Sequence, residues 1–170
     1  VETGSTPGPC GSFSWGEAED YMIIIAPPYA DDAGVASIDS PAAFCEGTRN
    51  VLATIQNYGS NRITSVLVNW SINGVAQTPV NHTTLLDTVG GVGSNTAQVL
   101  LGSNFFGAGV TDSIEVWTSN PNNTTDPNPV NDMQVTGLQP SLSGVFTIDP
   151  AGTGLTNYTP FSAAVADLNA

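Results

Sequence analysis

Carboxylates and side-chain amides crowd into two short stretches of this chain, and both are chemically suited to a hard cation. The first is Asn120-Pro121-Asn122-Asn123-Thr124-Thr125-Asp126-Pro127-Asn128-Pro129-Val130-Asn131-Asp132. Calcium takes six to eight oxygens from carboxylates, amides and carbonyls, which makes Asp126, Asn128 and Asp132 the candidate ligands. The run lacks the central Gly and terminal bidentate Glu of an EF-hand. Asn and Asp beside proline also close Asx turns on their own backbone, so turn formation is the leading reading and calcium the alternative. In the second stretch Glu17 and Glu19 lie two apart, which on a strand puts them on one face with Asp20 on the other. Asp31 and Asp32 follow soon after. Paired carboxylates do glycosidase chemistry only in a cleft that splits their pKa values, and the surrounding residues offer none. A solvated or hydrogen-bonded structural motif is the first expectation for Glu17 and Glu19, and calcium the second.

Other reactive groups are sparse. His82 is the sole histidine, and no Ser or Cys motif builds a nucleophile and base around it. Gly90-Gly91-Val92-Gly93 has no helix behind it to cradle a phosphate, so it reads as a turn. Phe105-Phe106, beside Asn104 and Gly107, is the best candidate for an aromatic tip that stacks on sugar rings. Adjacent residues usually send at least one side chain inward, so packing under the end of a sandwich is the favoured alternative.

Fifteen acids against Arg49 and Arg62, with no Lys, give a net charge of −13. That charge repels phosphate backbones and anionic bilayers, so neither nucleic acid nor membrane insertion is expected. No run of 18 apolar residues exists to span a bilayer. Cys10 and Cys45 are compatible with one disulfide, two separate thiols being the alternative, and no Cys or His pair has zinc spacing. A bridge there would close about 36 residues and contribute about 4 kcal/mol in the chain-entropy model.

The elements that must position these groups are short and mostly extended. Residues 1–14 read as loop, and Tyr21 to Ala26 as a strand stopped by Pro27-Pro28. Gly34 to Asp39 is a short strand. Asn50 to Asn57 alternates Val51, Ala53 and Ile55 with Leu52, Thr54 and Gln56. Arg62 to Asn73 is expected to be the longest strand, with Val66, Val68, Trp70 and Ile72 on its core face. Asn73-Gly74 marks a tight hairpin, with Val75 to Val80 returning. Thr84 to Val89, Thr96 to Leu101, Thr111 to Thr118 and Val130 to Leu138 complete seven or eight strands. This spacing, with no helix between strands, predicts an all-β fold: an immunoglobulin-like antiparallel β-sandwich. Helical periodicity appears only at Phe161, Ala164, Val165 and Leu168, behind Thr159 and Pro160.

Three resemblances organise the chain. Gly16-Glu17-Ala18-Glu19-Asp20-Tyr21 resembles the closing strand of a GEVED domain. Ile55-Gln56-Asn57-Tyr58-Gly59-Ser60, Val68-Asn69-Trp70-Ser71-Ile72-Asn73-Gly74 and the run Asn120 to Asp132 resemble the CARDB family of bacterial exported proteins, with Asn123 where that family has Gly. Gly144 to Ile148, Tyr158 to Phe161 and Ala163 to Asn169 resemble the capped opening of a right-handed parallel β-helix. The resemblances imply a GEVED-like end and linker over 1–30, a CARDB or immunoglobulin-like sandwich over 31–140, and the start of a β-helix-like unit over 141–170. They imply a large secreted or surface protein exported by the type IX route. In such bacteria Asp87-Thr88-Val89 and Asp112-Ser113-Ile114 are similar to O-glycosylation acceptors, with Thr88 and Ser113 the attachment points. The Asn-x-Ser/Thr sequons at Asn69, Asn81, Asn122, Asn123 and Asn157 carry little weight there.

The expected function is therefore non-enzymatic: an extracellular module for adhesion, spacing or fibre assembly. Its partners would be other domains of the same chain, neighbouring copies, or surface glycans. The rival is a carbohydrate-binding accessory domain of a secreted polysaccharide-degrading enzyme. Calcium, the alternative at both acidic stretches, is the one candidate cofactor.

Overall fold

The computed structural model describes residues 27–141, 145–154 and 156–168. The GEVED-like motif with Glu17 and Glu19, the Tyr21 to Ala26 strand and Cys10 lie outside these residues. Two antiparallel sheets face each other. One is three-stranded in the order β1 (Ala33–Ser40), β2 (Gly47–Asn57), β6 (Thr96–Phe106). The other runs β4 (Val75–Ala76), β3 (Val66–Ile72), β7 (Asp112–Ser119), β8 (Met133–Leu138), with β5 (Val80–His82) also paired to β3.

Alternation on a pleated strand puts every second residue on the core face. Val51, Ala53 and Ile55 of β2 are buried, as are Val66, Val68, Trp70 and Ile72 of β3 and Ile114 and Val116 of β7. They form one continuous apolar core with Val35, Val99, Leu101 and Phe106. The Trp70 indole donates to the Thr78 carbonyl at 3.0 Å. Its ring lies so close to the opposite sheet that a Cβ on Gly102 would come within 2.7 Å of it. Gly102 is thus the residue that lets β6 pass under the indole.

Several boundaries differ from expectation. β3 begins at Val66 rather than Arg62, because Ile63 turns away to an isolated bridge with Leu86. The same bridge is all that remains of the strand expected over Thr84 to Val89. The return after Asn73-Gly74 is split into β4 and β5 with Pro79 between them, since proline has no N–H for the ladder. The longest strands are β2 and β6, 11 residues each. β6 runs five residues beyond Leu101 and absorbs a bulge opposite Val51 and Leu52. The tight turn is present, with Asn73 and Gly74 both at positive φ, 51° and 76°.

Beyond the sandwich, β9 (Thr147–Ile148) and β10 (Asn157–Tyr158) pair in parallel. The helix α1 (Phe161–Leu168) follows. Ala164 of α1 is buried while Phe161 and Val165 stay exposed. The Phe146 and Tyr158 rings stack at 5.8 Å between centroids.

Candidate functional site

The acidic loop and the entering chain meet at one pole of the sandwich. Asp32 is buried, and its two carboxylate oxygens accept the side-chain amides of Asn128 at 3.0 Å and Asn131 at 2.7 Å. Asp126 accepts the Ala33 N–H at 2.9 Å with one oxygen and the Asn128 N–H at 3.0 Å with the other. The second of these is the Asx turn that Asp-Pro-Asn invites. Asp31 accepts the amide of Asn122 at 2.7 Å, and Asn122 in turn accepts the Thr64 N–H at 2.8 Å. Backbone bonds continue the fastening, from Val35 N–H to the Asn131 carbonyl at 3.0 Å and from Tyr58 N–H to the Asp32 carbonyl at 2.8 Å. The result is a polar clasp that ties residues 29–35 to 57–64 and 120–132.

Asn57 is the buried centre of the neighbouring half. Its amide nitrogen donates to the carbonyls of Asn61, Leu86 and Asp87, and its oxygen accepts the Gly59 N–H at 2.8 Å. Gly59 has to be glycine, because a Cβ there would sit 2.5 Å from the Ala30 carbonyl oxygen. Next to it Asp87 is buried and accepts N–H groups from Thr88 and Gly93 and the Arg62 guanidinium at 2.9 Å. These three donors, Gly93 first, hold its carboxyl below the usual value.

Charges at the clasp are only partly compensated. Burial, then the neighbouring Asp126 and Asp32 carboxylates, push Asp132 up to about 6. Burial also raises Asp126, against the two N–H groups it accepts. The buried Oδ1 atoms of Asp132 and Asn131 find no hydrogen-bond partner among the described residues. No group of three His, Cys, Asp or Glu among those residues is arranged to hold a metal ion.

The Asp132 shift has a definite sign. The folded state holds the proton more tightly than the unfolded chain, so this group's stabilisation is fully present below pH ~4 and is lost as pH rises through about 6. Asp132→Asn is expected to be more stable than the parent at pH 7.5 by about 1 kcal/mol, after discounting for solvent screening. The difference should vanish near pH 4. Urea unfolding at the two pH values checks this, and a constant difference would contradict the burial of Asp132.

The remaining expected sites are dispersed. Phe105 is 64% exposed, whereas Phe106 is fully buried and meets Phe44 edge-on at 5.5 Å. Phe106 is thus a core residue and presents no ring to a ligand, because successive residues of β6 face opposite ways. Both lie at the pole opposite the clasp. Cys45 is exposed and bridges to Ser141 beside that same pole. Thr88 sits half-buried in the turn closed by Asp87, and Ser113 half-buried on β7, its N–H held by Asn73. His82 lies on β5 opposite Val66, and burial lowers its pKa.

Asp32, Asn57 and Asn122 organise the pole; Asp32 and Asn122 lay in the two oxygen-rich stretches but were not chosen as ligands, and Asn57 was read only as a strand end and part of a family motif. Asn122 adopts a left-handed conformation, φ 49°, which Asn tolerates better than most residues. The doublet Asn122-Asn123 was the available signal.

No protein-family model matches the chain, and no curated protein matches it. Among solved structures it is similar to a domain of a putative cell surface protein from Methanosarcina acetivorans. That match has a TM-score of 0.50 and 20% identity, covering 65% of this chain and 92% of that one. The fold is immunoglobulin-like. Two structures of the CARDB domain of PF1109 from Pyrococcus furiosus are also similar, one of them in complex with di-metal ions. Their TM-scores are 0.49 and 0.46 at 14% and 16% identity, with 71% and 65% of this chain covered and 98% and 95% of theirs. Within the immunoglobulin-like sandwich, the three motifs that resemble CARDB fall on β2 with its turn, on β3 with its hairpin, and on the clasp loop.

Proposed function

We propose that the sandwich is a non-enzymatic extracellular module, a rigid spacer in a large surface or secreted protein of the CARDB type. The observation that carries this reading is the placement of the chain's entry and exit. The chain enters at the clasp pole, where Ala33 pairs with Asn57. It leaves after β8 at the other pole, where Leu138 pairs with Asp112 and the Ser141 N–H donates to the Phe44 carbonyl at 2.7 Å. Six residues of β8 separate the poles by roughly 20 Å of extended strand. A module joined at opposite poles transmits load along its strands, and the clasp stiffens the entry. A β-helix-like start after the sandwich belongs to the same proposal, supported by the parallel pairing of β9 with β10. The GEVED-like start and type IX export belong to the same proposal. Antibodies against the sandwich are expected to label intact source cells and to lose that label after brief protease treatment. Labelling that requires permeabilised cells would overturn the surface reading.

Calcium at the clasp is a second reading, supported by the buried Asp132 and Asn131 oxygens that lack donors. Millimolar calcium should raise the melting temperature of the parent and leave Asp132→Asn unmoved. Equal melting of the parent in calcium and in chelator removes the cation. For the carbohydrate-binding alternative, Phe105 is the ring of the Phe105-Phe106 pair that faces solvent. Glycan binding, if it is the function, should fall in Phe105→Ala at unchanged melting temperature, and binding that survives this change would dismiss the Phe105 platform. O-glycans at Thr88 and Ser113 would appear as sugar increments in the intact mass.

A further inference from the structure

The geometry points to a glycan-binding face on the outside of the β3–β7–β8 sheet, where the Trp117 indole lies among polar atoms that reach water and holds a strand of neutral polysaccharide. Alternation turns Val66, Val68, Trp70 and Ile72 of β3 and Ile114 and Val116 of β7 inward, so the residues between them face out. On that outer face Trp117 stands directly across from Asn69 on one side and Met133 on the other, and Glu115 across from Ser71 and Val135. Met133 and Val135 are 50% and 54% exposed, and Trp117 is half-buried. Trp70, by contrast, is a core residue.

Unused bonding capacity around the ring defines the ligand. Asn69 spends its amide N–H groups on the Trp117 carbonyl at 3.3 Å and the Ser119 hydroxyl at 2.9 Å, which fixes the side chain and leaves its oxygen to accept. One Glu115 oxygen accepts the Ser71 hydroxyl at 3.0 Å. The Trp117 indole N–H, the Asn69 Oδ1 and the second Glu115 oxygen make no hydrogen bond among the described residues, and none of the three is buried from solvent. An apolar ring edged by one donor and two acceptors suits a pyranose, which has an apolar C–H face and a rim of hydroxyls that both donate and accept. A purely apolar protein surface would instead bury the Glu115 carboxylate without a new partner, which is costly. Charge narrows the class further. At −13 the chain repels acidic polysaccharides. Glu115 is the one charged residue at the outward positions of these three strands, too little to draw a basic partner. A neutral glycan is what remains, and a flat sheet face has no wall to stop a long one.

The test is affinity electrophoresis of the full chain in gels carrying a soluble β-glucan, a soluble α-glucan or a galactomannan, with alginate as the acidic control. At least one neutral polymer is expected to retard the parent, and alginate is not. Trp117→Ala should keep the parent's melting temperature and weaken retention about tenfold or more, the scale of a tryptophan hot spot. Phe105→Ala, on the other sheet, should leave retention unchanged. Hydroxyl-radical footprinting of the parent needs no variant and decides the matter if Trp117→Ala melts early: Trp117 and Met133 are oxidised in the free chain and protected by the retarding polymer. This face is additional to the spacer reading, whose own test is cell labelling, so the two fail separately. Retardation by none of the neutral polymers, or retention that survives Trp117→Ala, overturns the inference. So does a Trp117 already protected in the free chain, which would mean that another part of the protein covers the face.

Discussion

Trp70→Ala is expected to lower the unfolding free energy of the sandwich by about 4 kcal/mol, the scale of large-to-small aromatic changes in cores. The indole is 4% exposed and spans both sheets, from its own strand to the backbone of Gly102. Its removal opens a cavity that the pleated sheets cannot close by collapse. It also strips the Thr78 carbonyl of its donor, which detaches the segment between β4 and β5. Small domains have only about 5–15 kcal/mol of stability in total, so a measurable unfolded fraction is expected at 37 °C. Chemical denaturation followed by fluorescence of the remaining tryptophans measures it. A loss under 1 kcal/mol would mean that the two sheets do not close on Trp70.

Asn57→Ala is expected to cost about 3 kcal/mol, by a different route. Alanine removes little volume but takes this partner from the carbonyls of Asn61 and Asp87, while the Gly59 N–H keeps the Asp32 carbonyl and the Leu86 carbonyl keeps the Ile63 N–H. A buried polar group deprived of its partner costs its desolvation in full. Asn57→Asp should be worse, because a carboxylate keeps the Gly59 bond yet faces three carbonyl oxygens. An urea series of the parent and both variants decides the order. If Asn57→Asp equals the parent, the amide does not have the role assigned to it.

The two results would separate the kinds of information in this chain. The alternation of Val51, Ala53 and Ile55, and of Val66, Val68, Trp70 and Ile72, was legible because a strand has a period of two and its faces meet different solvents. Asn73-Gly74 was legible because positive φ is a local requirement. β6 was read short because the Leu101 bulge interrupts the alternation, and Phe105-Phe106 could not be split between surface and core without knowing which way the strand emerges from that bulge. Arg62 to Ser65 was read as strand because nothing local reveals that Ile63 pairs with Leu86.

The clasp shows the same division at longer range. Asp126 to Asp132 announced oxygen-rich chemistry, and its Asx turn at Asp126 is local. That the same loop receives Ala33 and the carboxylate of Asp32, more than 90 positions away in the chain, depends on how β1 and β8 are brought together.

Composition, charge and the two-residue alternation were sufficient for an all-β sandwich with an acidic surface and one short helix, since each depends on neighbours along the chain or on the balance of side chains alone. Only the tertiary structure decided which carboxylates are buried together and which phenylalanine faces water. Those properties belong to pairs of residues far apart in sequence, and burial and pairing exist only once the two sheets have closed on each other.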